Sequence, residues 1–117
     1  MLFRSKTHND KVKVKISVNG SSLQGHIDLA YNDICKVFGK PTESDGYKSD
    51  AEWIIKFDND AVATIYNYKD GKNYLGEEGL AVEDIRDWHI GGFNKEVVAL
   101  VKETLLVNLI KQIAKTI

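Results

Sequence analysis

The densest recognition chemistry of the sequence lies in residues 66–74, which read Tyr-Asn-Tyr-Lys-Asp-Gly-Lys-Asn-Tyr. Aromatic rings can stack on a base, lysines can meet a phosphate, and asparagine amides carry the paired donor and acceptor that read a base edge. We therefore predict that this segment binds a nucleotide-like ligand. An ordinary hairpin is the alternative, with Tyr66 and Tyr68 in a strand, Asp70-Gly71 in a turn and the lysines solvated.

Two neighbouring segments extend the predicted site. Residues 47–53 lead into it, and Trp88-His89-Ile90-Gly91-Gly92 follows it. The glycine pair has two interpretations: a tight turn before a helix, or a place where a phosphate approaches backbone N–H groups at the positive end of that helix. The predicted ligand-binding residues are Tyr47, Lys48, Tyr66, Asn67, Tyr68, Lys69, Lys72, Asn73, Tyr74, Trp88, His89, Gly91 and Gly92.

The sequence contains few signatures of catalysis or metal binding. His8, His26 and His89 are far apart in the sequence, and no metal-binding, P-loop or nucleophile-elbow motif occurs. We therefore predict no catalytic residue, no cofactor and no metal site, and a strand position for His89. A metal-dependent phosphodiesterase is the less favoured alternative, and its carboxylates would be Asp50, Glu52, Glu77 and Glu78.

Length and charge bound the class of protein. A chain of 117 residues is sufficient for one domain, and 16 basic against 17 acidic side chains create no field that would draw the protein to DNA. Cys35 lies in an apolar helical pattern, which predicts a core position and a reducing compartment. No signal peptide or apolar run of about eighteen residues occurs, so we predict a cytoplasmic protein without membrane contact.

The first half of the chain predicts a hairpin and a helix. Lys11–Val18 alternates lysines with apolar residues, Asn19-Gly20 is a strong hairpin turn, and Ser21–Leu29 returns. Apolar residues then recur at helical spacing over Tyr31–Phe38, and Thr42–Ser49 reads as a polar loop. Residues 1–10 precede these elements and are expected to be flexible.

The second half predicts a second hairpin, a long loop, a strand and a helix. Ala51–Phe57 and Ala61–Tyr68 form the hairpin, and Lys69–Leu80 is a loop of about a dozen residues without periodicity. Val82–Ile90 reads as the final strand. Asn94 can cap a helix that runs close to Ile117. The predicted fold is a single α+β domain over residues 1–117, with a five-stranded, mainly antiparallel sheet in the order β-β-α-β-β-β-α and both helices on one face.

The C-terminal helix carries two apolar stripes. The later stripe is rotated by about 100° from the first, so we predict that it faces a second subunit in a homodimer. The alternative is that the distal half crosses the sheet and meets the first hairpin. The first stripe comprises Val97, Val98, Leu100 and Val101, and the second comprises Leu105, Leu106, Leu109, Ile110, Ile113 and Ile117.

Three motifs together resemble a known family. They are Gly46-Tyr47-Lys48-Ser49-Asp50-Ala51-Glu52-Trp53, then residues 63–74, then Trp88-His89-Ile90-Gly91-Gly92. The combination is similar to a family of small tailed-phage proteins, and within it to the anti-CBASS sponges that sequester cyclic nucleotide signals. The likeness covers roughly residues 46–98.

The resemblance implies a viral protein that binds a cyclic di- or oligonucleotide in the host cytoplasm without cleaving it and so blinds a defence effector. A protein-protein inhibitor of a host defence enzyme is the alternative, with the exposed aromatic rings as its hot spot.

Overall fold

The computed structural model describes residues 5–7, 20–41 and 50–115. The fold is α+β, with an antiparallel sheet and a long C-terminal helix. Short 3-10 turns cover Gly76–Glu78 and Val82–Asp84. The elements are β1 (Ser5–Thr7), β2 (Ser22–Asp28), α1 (Tyr31–Phe38), β3 (Glu52–Phe57), β4 (Val62–Tyr66), α2 (Lys72–Leu75), β5 (Asp87–Gly92) and α3 (Glu96–Lys115).

The strands follow the order β1-β3-β4-β5-β2, and every neighbouring pair is antiparallel. Strands β3 and β4 form the hairpin that the sequence predicts, with Trp53 opposite Ile65. Strand β5 lies between β4 and β2, and its Ile90 is opposite Ile65. Because side chains alternate along a strand, Trp53, Ile65 and Ile90 share one face of the sheet, which we call the inner face.

The inner face is packed under both helices. Trp53 and Trp88 are fully buried there, with ring centroids 5.3 Å apart in an edge-to-face arrangement. Each indole N–H donates to a carbonyl at an element end, Trp53 to Gly39 at 2.9 Å and Trp88 to Leu29 at 3.0 Å. The two rings therefore bury large apolar area without leaving a polar atom unsatisfied.

The fold class, the antiparallel sheet and the long C-terminal helix are confirmed. Helix α1 has the predicted bounds, and Asn94 accepts the backbone N–H of Glu96 at 3.0 Å, as expected for a cap. The predicted strand Lys11–Val18, its Asn19-Gly20 turn and the predicted loop Thr42–Ser49 fall outside the described residues, except for Gly20 itself. The described sheet has five strands, but β1 is a short strand within residues 1–10, where none was predicted. The predicted set of five strands, which begins with Lys11–Val18, therefore stays a prediction.

The final strand differs from the predicted Val82–Ile90. It runs from Asp87 to Gly92, and the first part of the predicted strand is a 3-10 turn in which Asp84 N–H donates to Ala81 at 2.8 Å. The predicted turn at Gly91-Gly92 is wrong, since both residues pair with β4 and with β2. Glycine is needed at position 92 because helix α3 lies close to the strand there, and a Cβ on Gly92 would lie 2.5 Å from Val97 Cγ2.

The predicted structureless loop over residues 69–80 is also wrong in part. It contains α2 and a 3-10 turn, and Leu75 N–H donates to Gly71 at 3.0 Å. The segment has no apolar periodicity because its order comes from polar contacts, such as the bond from the Asn73 N–H to the Asp50 carboxylate.

Helix α3 buries one side and exposes another. Val97, Val101 and Leu105 lie in the core, so the assignment of Leu105 to the second stripe is wrong. Leu106, Ile110 and Ile113 are 54 to 61% exposed. The distal half lies beside α1, where the Gln112 amide donates to the Lys36 carbonyl at 3.1 Å.

Within the described residues, no helix is long and apolar enough to cross a membrane.

The contact between Gly92 and α3 gives a test of the helix position. We expect Gly92→Ala to lower the free energy of unfolding by about 1 to 3 kcal/mol, because the new methyl group meets the Val97 side chain. The double variant Gly92→Ala/Val97→Ala should lose about 1 kcal/mol less than the sum of the single variants. Urea unfolding of the four proteins measures this coupling, and strictly additive losses would contradict the packing.

Candidate ligand-binding site

The outer face of the sheet carries a row of polar rings. Tyr66 is opposite His89 in β4 and β5, and His89 is opposite His26 in β5 and β2. The ring centroids of Tyr66 and His89 are 5.4 Å apart, and those of His89 and His26 are 4.5 Å apart. The row lies opposite the core because its sequence neighbours Ile65 and Trp88 point to the inner face.

The chain after β4 adds two more rings and a lysine to this row. The Tyr68 ring lies 5.6 Å from the His89 ring. Lys69 Nζ lies 5.2 Å from the ring centroid of Tyr68 and 5.2 Å from that of Tyr74, which is cation–π distance in both cases. We call Tyr66, Tyr68, Lys69, Tyr74 and His89 the outer cluster.

The members of the outer cluster differ in their access to solvent. Tyr68 and Tyr74 are 42% and 37% exposed, whereas Tyr66, Lys69 and His89 are half-buried. Lys69 has a φ of +60°, in the left-handed region. That conformation turns the chain sharply after Tyr68, and both exposed tyrosine rings lie near the ammonium group.

Burial shifts the pKa of two members of the outer cluster, His89 and Tyr66. It lowers the pKa of His89 below its ordinary value, with His26 adding to the effect and with Asp87 and Asp70 opposing it. Burial, helped by Glu52 and Tyr68, raises the pKa of Tyr66. At neutral pH His89 is therefore uncharged and can offer one donor and one acceptor, and Lys69 supplies the positive charge.

Asn67 does not belong to the outer cluster, which corrects its predicted role as a reader of a base edge. Its side chain is fully buried, and its Oδ1 accepts the backbone N–H groups of Asp50 at 2.7 Å and Ala51 at 3.0 Å. Its Nδ2 donates to the carboxylates of Asp50 and Asp70, both at 3.0 Å. All the hydrogen-bonding capacity of the amide is used inside the protein.

Asp50 also has a structural position. Besides the Asn67 amide, its carboxylate accepts the backbone N–H of Asn73 at 3.2 Å. Gly71 lies against it so closely that a Cβ on Gly71 would overlap the carboxylate. Asp50 precedes β3, whereas Glu52 is the first residue of that strand.

Trp88, Gly91 and Gly92 also lie away from any ligand surface. Trp88 points to the inner face between Trp53 and Tyr31, because alternation along β5 sends Asp87 and His89 outward. A Cβ on Gly91 would lie 2.5 Å from Thr64 Oγ1. The backbone of the two glycines is used in strand pairing, so their predicted contact with a phosphate is wrong.

Four predicted site residues remain. Lys72 and Asn73 are exposed at the start of α2, and the backbone N–H of Asn73 is bonded to Asp50. Tyr47 and Lys48 lie outside the described residues.

Two residues without a predicted role, His26 and Asp87, adjoin the cluster. Asp87 is on the same strand face as His89, and its Oδ1 lies 3.5 Å from His26 Nδ1. The sequence contains a partial signal for the outward position of the two histidines. In Gly-His-Ile at residues 25–27 and in Trp-His-Ile at residues 88–90, the histidine precedes an isoleucine and therefore points to the other face of the strand. The pairing of β2 with β5, which brings the histidines together, joins segments about sixty residues apart.

Two cavities lie elsewhere on the surface. One of about 510 Å³ between α1 and α3 is lined by Asp33, Lys36, Leu109, Gln112 and Ile113. Another of about 290 Å³ lies between the β3–β4 turn and the start of α3. Neither of these two cavities is lined by a member of the outer cluster.

Comparison of the chain with protein-family models, with curated proteins and with solved structures found no match. The resemblance to phage proteins therefore stays a prediction from the three motifs.

The buried amide of Asn67 can be tested by an isosteric change. We expect Asn67→Asp to lower the free energy of unfolding at neutral pH by about 3 kcal/mol, because it replaces two donors by a carboxylate facing Asp50 and Asp70. Asn59→Asp is the matched control, since Asn59 is exposed and its side-chain oxygen accepts the Ala61 N–H at 3.2 Å. Denaturant unfolding measures the free energy of unfolding of both variants. Equal losses would contradict a stabilising role of the buried hydrogen-bond network of Asn67.

Proposed function

We propose that the outer cluster binds a nucleotide, and that the protein is a phage counter-defence protein that sequesters a cyclic oligonucleotide without cleaving it. One observation carries the first part: an ammonium group lies 5.2 Å from each of two exposed tyrosine rings. The cyclic form of the ligand and the role in host defence come from the motif resemblance.

The rings and the lysine match the parts of a nucleotide. A base that stacks on an aromatic ring contributes about 1 to 3 kcal/mol. The Lys69 ammonium group lies 5.2 Å from both the Tyr68 ring and the Tyr74 ring, so one ligand can meet a ring and a positive charge together. A ligand with two bases and two phosphates could use both rings and reach submicromolar affinity, which corresponds to more than about 8 kcal/mol.

The remaining polar groups suit recognition of a base and a phosphate. Neutral His89, which adjoins Tyr66 and Tyr68, can exchange a donor and an acceptor with a base edge. Exposed Lys72 lies three residues after Lys69 in the chain and adds a second positive charge for a phosphate. In this proposal His89 takes the role in base recognition that the sequence suggested for Asn67.

The absence of cleavage is part of the proposal. Asp50, which a phosphodiesterase would use, has its carboxylate bonded to Asn67 and Asn73. Heating the complex should release intact cyclic nucleotide, which chromatography can identify. Linear products would support the phosphodiesterase alternative with Asp50, Glu52, Glu77 and Glu78.

Variants of Tyr68 test the stacking contact. In calorimetric titrations with cyclic di- and trinucleotides of adenine and guanine, we expect one member of the panel to bind. Tyr68→Ala should weaken that binding at least tenfold, about 1.4 kcal/mol or more, whereas Tyr68→Phe keeps the ring and should stay within about threefold.

Variants of Lys69 test the charge. Lys69→Met should weaken binding and reduce its dependence on salt, because one phosphate contact is lost. Lys102→Met, at an exposed position of α3, is the matched control and should bind as the unchanged protein does. Failure of every nucleotide to bind, or equal losses for Lys69→Met and Lys102→Met, would contradict the proposal.

A protein-protein inhibitor remains the second candidate, because the same segment exposes aliphatic side chains. Leu75 and Leu80 are each nearly half exposed and lie in the chain just beyond Tyr74. An exposed apolar patch that includes tyrosine rings is typical of a protein interface. Binding of a host enzyme that Leu75→Ala weakens and that cyclic nucleotides do not compete for would favour this function.

The C-terminal helix supports a homodimer as part of the same proposal. Leu106, Ile110 and Ile113 follow an i, i+4, i+7 spacing, so they form one exposed apolar stripe on α3. Two copies of such a stripe can pack against each other around a two-fold axis.

Substitution within the stripe tests the dimer. By light scattering we expect a mass of twice 13.2 kDa for the unchanged protein and a single chain mass for Ile110→Lys, because a charge cannot enter an apolar helix contact. Lys111→Glu, at an exposed polar position on another side of the same helix, should leave the dimer intact. A monomer at all concentrations for the unchanged protein would refute it.

A further inference from the structure

Three side chains with metal-binding atoms meet on the outer face beside the cluster. They are His26, Asp87 and His89, and their ligand atoms all lie within 4.8 Å of one another. Asp87 and His26 have no part in the proposed nucleotide contacts.

The backbone holds the three residues in place. His26 and His89 are direct partners in the antiparallel pair of β2 and β5, and Asp87 is two residues before His89 on the same face. Each residue lies within a strand that is paired to a neighbour, so the spacing of the three Cα atoms is fixed by strand pairing. Sites on paired strands are held more precisely than sites on loops.

The distances are close to those of a tetrahedral metal site. Zinc binds histidine nitrogen at about 2.0 to 2.1 Å and carboxylate oxygen at about 2.0 to 2.2 Å, which places tetrahedral ligand atoms about 3.4 Å apart. His26 Nδ1 and Asp87 Oδ1 are already 3.5 Å apart. The widest pair is within 4.8 Å, so rotation of the half-buried His89 ring or of the exposed His26 ring can close the set.

We infer that His26, Asp87 and His89 form a binding site for a divalent transition-metal ion of the zinc class, with one coordination position left to water or to an anionic ligand. Two imidazoles and a carboxylate favour zinc, copper or nickel over magnesium and calcium, which prefer oxygen ligands. Three protein ligands with one open position are typical of zinc sites that contact a further molecule.

The surrounding charges permit a bound cation. Arg86, which precedes Asp87, donates its Nε–H to Asp28 Oδ1 at 2.9 Å, so its charge is paired. Asp28 lies opposite Asp87 in the strand pair, so the Arg86–Asp28 ion pair is beside the site and adds no net charge to it. On the side of His89 away from His26, the Tyr66 ring lies 5.4 Å from the His89 ring and reduces its exposure to solvent.

A simple ion pair between protonated His26 and Asp87 is the competing explanation of the 3.5 Å contact. The two explanations make different predictions. An ion pair does not bind zinc and leaves the environment of the His89 ring unchanged. A metal site binds one ion per chain and changes the environment of the His26 and His89 rings.

Zinc chloride titration of the untagged, EDTA-treated full chain, without nucleotide, tests the inference. By calorimetry we expect one zinc ion per chain with a micromolar Kd, at least a hundredfold tighter than magnesium or calcium. Cobalt chloride should give the visible absorption of a tetrahedral site, and the ring C–H resonances of both histidines should shift with zinc.

Single substitutions identify the ligands. His26→Gln, at an exposed position, and Asp87→Asn should each weaken zinc binding at least tenfold while the circular dichroism spectrum stays unchanged. Asp84→Asn, an exposed carboxylate in the 3-10 turn, is the matched control and should bind zinc normally.

Several results would overturn the site: no saturable zinc binding, equal affinity for magnesium, or unchanged zinc affinity in His26→Gln. Because no nucleotide is present in these titrations, their outcome is independent of the proposed function. A protein that binds zinc but no nucleotide would refute only the proposed function, and the reverse result would refute only the metal site.

Discussion

The buried amide of Asn67 determines the shape of the candidate site. It joins the residues before β3 to the turn after β4, because its oxygen accepts the N–H groups of Asp50 and Ala51 and its nitrogen donates to the carboxylates of Asp50 and Asp70. A buried amide without partners would cost about 1 to 3 kcal/mol for each unmet group, so the segments have little freedom to separate. The turn that follows requires the left-handed backbone of Lys69 and the close approach of Gly71 to Asp50. Asn67 therefore positions Tyr68, Lys69 and Tyr74 without belonging to the ligand surface.

A second constraint divides the aromatic residues between the two faces of the sheet. Trp53 and Trp88 fill the inner face, and their N–H groups are bonded to the carbonyls of Gly39 and Leu29. Because successive side chains of a strand point to opposite faces, burial of Trp88 sends its neighbour His89 outward, next to Tyr66. The core thus fixes which rings can reach a ligand. The two tryptophans occupy the inner face, so the rings of the outer cluster lie on the opposite face of the sheet.

Much of the fold could be predicted from local patterns, while most of the site could not. Helical spacing gave α1 and α3, and alternation with a polar turn gave the β3–β4 hairpin, since these elements depend on residues close in sequence. The order in residues 69–80 depends on Asp50, about twenty residues earlier, and the row of histidines depends on a strand pair that joins residues about sixty apart. No periodicity records such contacts. Trp88 is the exception, because Trp88 and Ile90 at alternate positions already indicate that the tryptophan belongs to the apolar face.

The two candidate surfaces share one sheet face but are held by different means. His26, Asp87 and His89 stand on paired strands, and their spacing follows from strand register alone. Tyr68, Lys69 and Tyr74 stand beyond the end of β4, and their spacing follows from the polar contacts of Asn67 and Asp50. His89 belongs to both groups, with the Tyr66 and Tyr68 rings on one side and the His26 ring on the other. Since both surfaces are ordered before any ligand arrives, binding would cost little conformational entropy, and a metal ion at His89 would lie beside the rings on which a base would stack.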